Sequence, residues 1–356
     1  MKNSSVMIED FEYVSSVNFI PWDKLSNKTI LVTGATGLIG LNLIKSVIYA
    51  SKKKELNVKV IALVRNMEKA NNVFEDEIAY PGLSFVLGNI KNMPDISENI
   101  DFIVHGASVT SSKSFIDEPV ETITTAINGT RNILELARVK NVASVVYLSS
   151  MEVYGHPDKG HIVTESEVAG FDTSNVRNCY PISKQICESM CSSYASQYEV
   201  PVKCIRLTQT FGPGVSFDDG RVFAEFMRSA INKKDIVLKT KGETERCYLY
   251  TADSVTAILT VLLNGKNKEC YNAANPRTYC SILEMAEMVA NDVSGGDISV
   301  KIELSDIEKL GYASTLYMML DVNKLIGIGW NSYFSLKQAF ERMINNIREE
   351  KENVIL

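Results

Sequence analysis

Thr33-Gly34-Ala35-Thr36-Gly37-Leu38-Ile39-Gly40 is the stretch that decides the fold. It follows the apolar run Ile30-Leu31-Val32 and opens a segment with apolar residues at helical spacing. Each glycine meets a separate need. Gly34 permits a tight turn, Gly37 lets the backbone approach a pyrophosphate, and Gly40 lets helix and strand pack closely. The first helical turn offers unpaired N–H groups and a partial positive charge to phosphates. The stretch therefore predicts a dinucleotide held by Gly34, Thr36, Gly37, Leu38 and Ile39. A lone glycine pattern is weak; the strand before it and the helix after it strengthen it.

Outward from this turn, strands and helices alternate. Strands are predicted at 29–33, 58–64, 84–87, 101–105, 143–149 and 202–207, and helices at 40–51, 120–139 and 180–198. Runs such as Val60-Ile61-Ala62-Leu63-Val64 do not alternate, so both faces are covered. The fold class is α/β: a Rossmann-type doubly wound parallel sheet over 28–210, with a smaller C-terminal substrate-binding lobe over most of 211–356. A segment near 245–275, with a strand at 270–273, is expected to rejoin the sheet. Residues 1–27 form an extension that packs on the cofactor domain or covers a dimer edge.

Composition excludes several classes. The 356 residues carry a net charge of −6, which gives no reason to expect nucleic acid or an anionic membrane as partner. With 45% hydrophobic and 22% charged residues, the chain is of ordinary globular composition. No apolar run approaches the roughly 20 residues of a membrane span, and the start lacks a signal-peptide pattern. Seven cysteines include no C-x-x-C pair, and three scattered histidines complete no metal set with Cys187 and Cys191. No metal is expected, and the location is expected to be cytoplasmic and reducing.

The second strand ends at Val64-Arg65-Asn66. An acidic residue there would suit the ribose of NAD; Arg65 suits the 2′-phosphate of NADP, or is a solvated surface arginine. The cofactor is thus NAD(P), with a lean to NADP. Asn89 and Ile90, after the third strand, form an adenine contact or a simple turn.

Tyr180-Pro181-Ile182-Ser183-Lys184 opens a helix, and the i, i+4 spacing puts Tyr180 and Lys184 on one face. A lysine ammonium beside a phenol lowers the tyrosine pKa, so Tyr180 is expected to exchange a proton with a substrate hydroxyl while hydride moves. Ser150 ends the fifth strand, where parallel sheets place their ligands, and is expected to bind the same oxygen.

Together with HGAS (105–108), INGT (127–130), LSSMEVYG (148–155), FGPG (211–214) and TERCYLYTADSV (244–255), these motifs resemble the extended short-chain dehydrogenase/reductases of the NDP-sugar epimerase/dehydratase family. The motifs run in family order over nearly the whole chain. The resemblance implies a catalytic set of Ser150, Tyr180 and Lys184, with Glu152 beside them. It implies further cofactor contacts at Gly106, Ala107, Ser108 and Asn128, and substrate contacts at Thr110, Ser150, Met151, Gln209, Arg221, Val222 and Arg246. It also implies a homodimer through the helices carrying Asn128 and Tyr180, and a nucleotide-diphosphate sugar bound in the smaller lobe, with Arg246 on its diphosphate.

Two positions depart from the family pattern. Gln209 stands where Asn is common. Met151 replaces the Asp of an Asp-Glu pair that one branch of dehydratases uses, while Glu152 remains. Glu152 is then a base at C5, part of a decarboxylation site, or a residue that orients substrate or loop. Three functions stand open: an epimerase or dehydratase working through a 4-keto sugar, with a uronic acid decarboxylase as a variant; an NADPH-dependent reductase of 4-keto-6-deoxy sugars; and a cofactor sensor without catalysis.

Overall fold

The computed structural model describes residues 2–304 and 315–355. Its main layer is a seven-stranded sheet in the order β3-β2-β1-β4-β5-β7-β11. The strands are β1 (Thr29–Thr33), β2 (Lys59–Val64), β3 (Leu83–Leu87), β4 (Phe102–His105), β5 (Ser144–Ser150), β7 (Val202–Leu207) and β11 (Cys270–Ala273). All six pairings are parallel. Every residue of β1 is buried, as its non-alternating apolar sequence predicts, whereas the edge strand β3 is only half-buried. The strand order reverses between β1 and β4, which opens a ligand crevice at their C-terminal ends.

Helices cover both faces. One face carries α2 (Leu38–Lys54) and α8 (Thr251–Asn264), and the other α5 (Pro119–Lys140) and α6 (Cys179–Gln197). α2 is closed by three lysines in its last turn, which complement the helix dipole, and by Glu55 in the left-handed conformation. α5 starts on Pro119, whose fixed φ suits the first helical position. Two short helices, α3 (Met67–Val73) and α4 (Ser112–Asp117), follow β2 and β4.

A second, five-stranded sheet joins β6 (Ile162–Val163), β8 (Gln209–Phe211), β10 (Glu245–Tyr250), β12 (Asn275–Ser281) and β14 (Tyr317–Leu320). It stands beyond β7, since β8 follows that strand at once and pairs with β10. A third, two-stranded sheet pairs β9 (Ile236–Leu238) with β13 (Val300–Ile302), and α7 (Val222–Asn232) precedes it. β11 pairs with β7, and α8 is buried against the large sheet from Thr251 to Leu262.

The N-terminal residues are built into the core. α1 (Ser5–Ser16) is capped by Ser4, whose hydroxyl accepts from the Met7 N–H at 3.1 Å. Its Met7, Phe11 and Val14 are buried in the main hydrophobic cluster, against α2, α8 and the C-terminal helix Leu336–Ile355. Tyr13 donates to the buried Asp253 carboxylate at 3.0 Å, and Arg342 pairs with Asp10 at 2.8 Å. Of the two roles expected for 1–27, packing on the large domain is the one observed.

Candidate active site

The glycine turn has the geometry its spacing predicts. Gly34 adopts φ +71°, and a Cβ there would lie 2.8 Å from the carbonyl carbon of Gly106 at the end of β4. A Cβ on Gly40 would lie 2.3 Å from the Gly34 carbonyl oxygen. Gly37 is exposed and caps α2 with no side chain, so the first-turn amides of this 17-residue helix are left for an anion. Thr36, Leu38 and Ile39 are half-buried around it. These features fit a dinucleotide pyrophosphate.

The remaining cofactor candidates spread from this point along the strand ends. Arg65 is exposed just past β2. Asn89 is half-buried and accepts from the Lys91 N–H through its side chain at 3.0 Å. Ile90 is buried over Gly129 of α5, and Asn132 donates to its carbonyl at 2.8 Å. Gly106, Ala107 and Ser108 are half-buried after β4, and Asn128 is exposed on α5.

Ser150, Tyr180 and Lys184 meet at the end of β5. Tyr180 is 7% exposed and lies flat on Phe115 of α4, with ring centroids 4.4 Å apart. The Ser150 hydroxyl stands close enough to lower the cost of the Tyr180 phenolate; it accepts from the Glu152 N–H at 3.2 Å and so starts the 3₁₀ turn Met151–Tyr154. Lys184 is buried one turn along α6, and its ammonium donates to the Leu148 carbonyl at 2.7 Å. That ammonium stands 5.7 Å from the Tyr180 ring centroid and 4.8 Å from that of Tyr147.

The electrostatics correct one expectation. The spacing predicts that Lys184 draws the Tyr180 pKa down; the phenol is instead held well above its ordinary value. Burial is the main cause, and the nearby Glu152 charge adds to it, while Ser150 and Arg177 pull the other way. Burial likewise lowers the Lys184 pKa. Sequence spacing registers the lysine but not the desolvation.

The candidates on the substrate side are unevenly placed. Met151, expected among the substrate contacts, turns its side chain inward: it is 5% exposed, and the Thr208 hydroxyl donates to its sulfur at 3.2 Å. Glu152 stays at the surface of the site as its acidic group. Gln209 opens β8 and pairs in register with Tyr248, two residues beyond Arg246 on β10. The Arg246 Nε is buried without a hydrogen-bond partner among the described residues, which suits an anionic ligand. Arg221 and Val222 start α7, with Arg221 paired to Asp219 at 2.6 Å, and Thr110 is exposed in the loop before α4.

Three neighbours lay outside the sequence expectations. His105 is buried between the glycine turn and α5, bonded to Thr33 and Thr130. Phe115 forms the floor under Tyr180. Arg177, in the 3₁₀ turn Val176–Asn178 just before α6, lies over Phe115 and faces Glu152 at 3.5 Å. Arg177 had a usable signal in its place three residues before Tyr180, and His105 in opening the HGAS motif, whereas Phe115 had none.

Behind the site, Glu188 of α6 takes two hydrogen bonds from Arg206 of β7, at 2.7 and 2.9 Å, and one from the Ser149 hydroxyl at 2.5 Å. Arg206 also donates to the Tyr154 hydroxyl at 2.8 Å. This buried network ties β5, β7 and α6 together next to Ser150.

Comparison with known proteins agrees with this geometry. The chain is 29% identical to UDP-glucuronic acid decarboxylase 1 of Xenopus tropicalis, over 92% of this chain and 73% of that protein. It is 26% identical to a UDP-N-acetyl-alpha-D-glucosaminuronate decarboxylase of Bacillus cytotoxicus, over 84% and 90% of the two chains. Its fold matches that of a dTDP-glucose 4,6-dehydratase from Streptomyces venezuelae with a TM-score of 0.75 at 22% identity, over 91% and 98% of the chains. Residues 30–274 match the description of the NAD dependent epimerase/dehydratase family, and the chain belongs to that family as an extended short-chain dehydrogenase/reductase.

Proposed function

We propose that the protein oxidises C4 of a nucleotide-diphosphate hexuronate and releases its C6 carboxylate as CO₂. The observation that carries this reading is that position 151 is a methionine, which has no acidic group and packs inward, so that Glu152 is the acidic group near Tyr180. Eliminating water across C5 and C6 calls for a base at C5 and an acid at the leaving hydroxyl. Decarboxylation calls for neither, because a C4 ketone β to the carboxylate takes up the electron pair of the breaking C5–C6 bond. The decarboxylase relatives support the same reading.

Each residue then has a task. Ser150 holds the C4 oxygen, and Tyr180 takes its proton and later returns it. Burial opposes the phenolate, and Ser150 and Arg177 offset part of that cost. Lys184 fixes the Tyr180 end of α6 through the Leu148 carbonyl. The glycine turn at Gly34, Gly37 and Gly40 would hold a nicotinamide dinucleotide, which would supply reversible hydride transfer at C4. The sum is redox-neutral: hexuronate and one proton become pentose and CO₂.

The finer assignments follow from the same placements. Residues 28–210 with the returning 245–275 segment hold the dinucleotide, and most of 211–356 holds the sugar nucleotide, with Arg246 on the diphosphate. Arg65 suits NADP as well as NAD, and Arg65→Ala is expected to weaken NADP binding selectively. A second copy docks on α5 and α6, where Val120, Val139 and Ile186 are exposed; light scattering reads the mass. All seven cysteines are unpaired, which supports a cytoplasmic location.

The test uses UDP-glucuronate and UDP-N-acetylglucosaminuronate with NAD⁺, reading CO₂ and the product by NMR. Release of CO₂ with no net change in reduced nicotinamide is expected. A C4 epimer formed without CO₂ would make the protein a 4-epimerase, and stoichiometric use of NADPH on a 4-keto sugar would make it a reductase.

A further inference from the structure

The site holds two arginine–carboxylate pairs of opposite character. Arg206 and Glu188 are 4% and 8% exposed, and their bonds of 2.7–2.9 Å are those of a tight two-pronged pair. Arg177 and Glu152 are 35% and 34% exposed, and both terminal guanidinium nitrogens lie 3.5 Å from one Glu152 oxygen. That separation leaves most of the bonding capacity of the guanidinium unused, and no other acceptor meets Arg177 among the described residues. Phe115 nonetheless holds it in place, with the guanidinium carbon 4.8 Å from the ring centroid. Phe115 also stacks on the Tyr180 ring, with centroids 4.4 Å apart. One aromatic ring thus contacts both the cation and the group that handles the C4 oxygen. The cation is near enough that its charge acts on the Tyr180 phenol.

We propose that Arg177 is the specificity residue of this site: on binding it exchanges Glu152 for the C6 carboxylate of the sugar, so that the enzyme selects uronates over neutral hexoses. The inference rests on the hexuronate reading above. The chemistry favours the exchange. A planar guanidinium with free donors accepts a carboxylate on two prongs, and a half-exposed pair at 3.5 Å is weak enough to give way. Glu152, once released, repels anions bound out of register.

Binding decides the matter without turnover. Titrate UDP-glucuronate and UDP-glucose by calorimetry into the protein loaded with NADH, which cannot oxidise C4, for the wild type, Arg177→Met and Glu152→Gln, with circular dichroism as a check on folding. The wild type is expected to favour the uronate. Arg177→Met is expected to lose about tenfold or more of the uronate affinity, the loss of a charged hydrogen-bonded contact, with UDP-glucose unchanged. Glu152→Gln removes the competing anion and is expected to tighten the uronate severalfold. The proposal is overturned if the wild type shows no preference, or if Arg177→Met retains it or weakens both ligands alike. Failure of the functional reading looks different: no CO₂ is released, yet the uronate preference and its dependence on Arg177 persist.

Discussion

The His105 ring stands 2.7 Å from the Thr33 hydroxyl through Nδ1, joining the ends of β1 and β4 beneath the glycine turn. The same hydroxyl accepts from the Ala107 N–H at 3.2 Å, so one threonine sets both loops of the dinucleotide crevice. Burial, helped by the Lys184 charge, pushes the His105 pKa down to about 3 from its ordinary 6.5. The sign follows. A folded value below the unfolded one contributes stability that is complete above about pH 6.5 and is lost as the pH falls towards 3. The melting temperature of the wild type is expected to drop between pH 7 and pH 5, and His105→Gln is expected to drop less over that interval. Parallel slopes for the two proteins would exclude His105 as the source.

Tyr180→Phe keeps the ring on Phe115 and removes only the hydroxyl that meets Ser150. Its melting temperature is expected to stay close to that of the wild type. Turnover is expected to fall about 10²–10⁴-fold, the usual worth of a positioned acid or base. A variant that keeps near-full turnover on the identified substrate would rule out Tyr180 as the proton carrier.

Gly40→Ala and Gly37→Ala separate folding from binding in the phosphate turn. The added methyl of Gly40→Ala would meet the Gly34 carbonyl at 2.3 Å, where backbone must move. This variant is expected to lose stability by about 1–3 kcal/mol, the range for overpacking. The methyl of Gly37→Ala would stand 3.2 Å from the same oxygen, on the exposed side of the turn. It is expected to fold and to bind dinucleotide more weakly. Thermal melts and a fluorescence titration with NADH read the two effects, and equal destabilisation would overturn the division.

The parts legible in the sequence were those encoded by neighbours along the chain. Ile30-Leu31-Val32 is apolar on both faces and is buried on both. Ser150 ends β5, and Tyr180 and Lys184 share one turn of α6, as motif and spacing predict. Contacts between distant segments were not legible. Phe115 and Tyr180 stack across 65 residues of chain, so neither position signals the other. Met151 sits next to Ser150, yet its side chain after the start of a 3₁₀ turn packs into the cluster of Val163, Cys247, Met318 and Leu320. The apolar stripe Met7, Phe11 and Val14 gains meaning only once α2 and α8 offer it a surface.

The buried pair of Glu188 and Arg206 gives the last prediction. Arg206→Met leaves the Glu188 carboxylate buried with the Ser149 hydroxyl as its remaining side-chain donor. The expected cost is about 3–5 kcal/mol, the penalty for an uncompensated buried charge. Replacing both partners, in Arg206→Met with Glu188→Leu, removes that charge and is expected to recover much of the loss. Urea melts of the two single variants and the double variant measure the coupling. Activity is expected to recover less than stability, because Glu188 also holds Ser149 at 2.5 Å, and Ser149 precedes Ser150, the residue proposed to bind the C4 oxygen. If the double variant is as unstable as the sum of the single ones, the pair acts through packing, and its charge does not hold β5, β7 and α6 together.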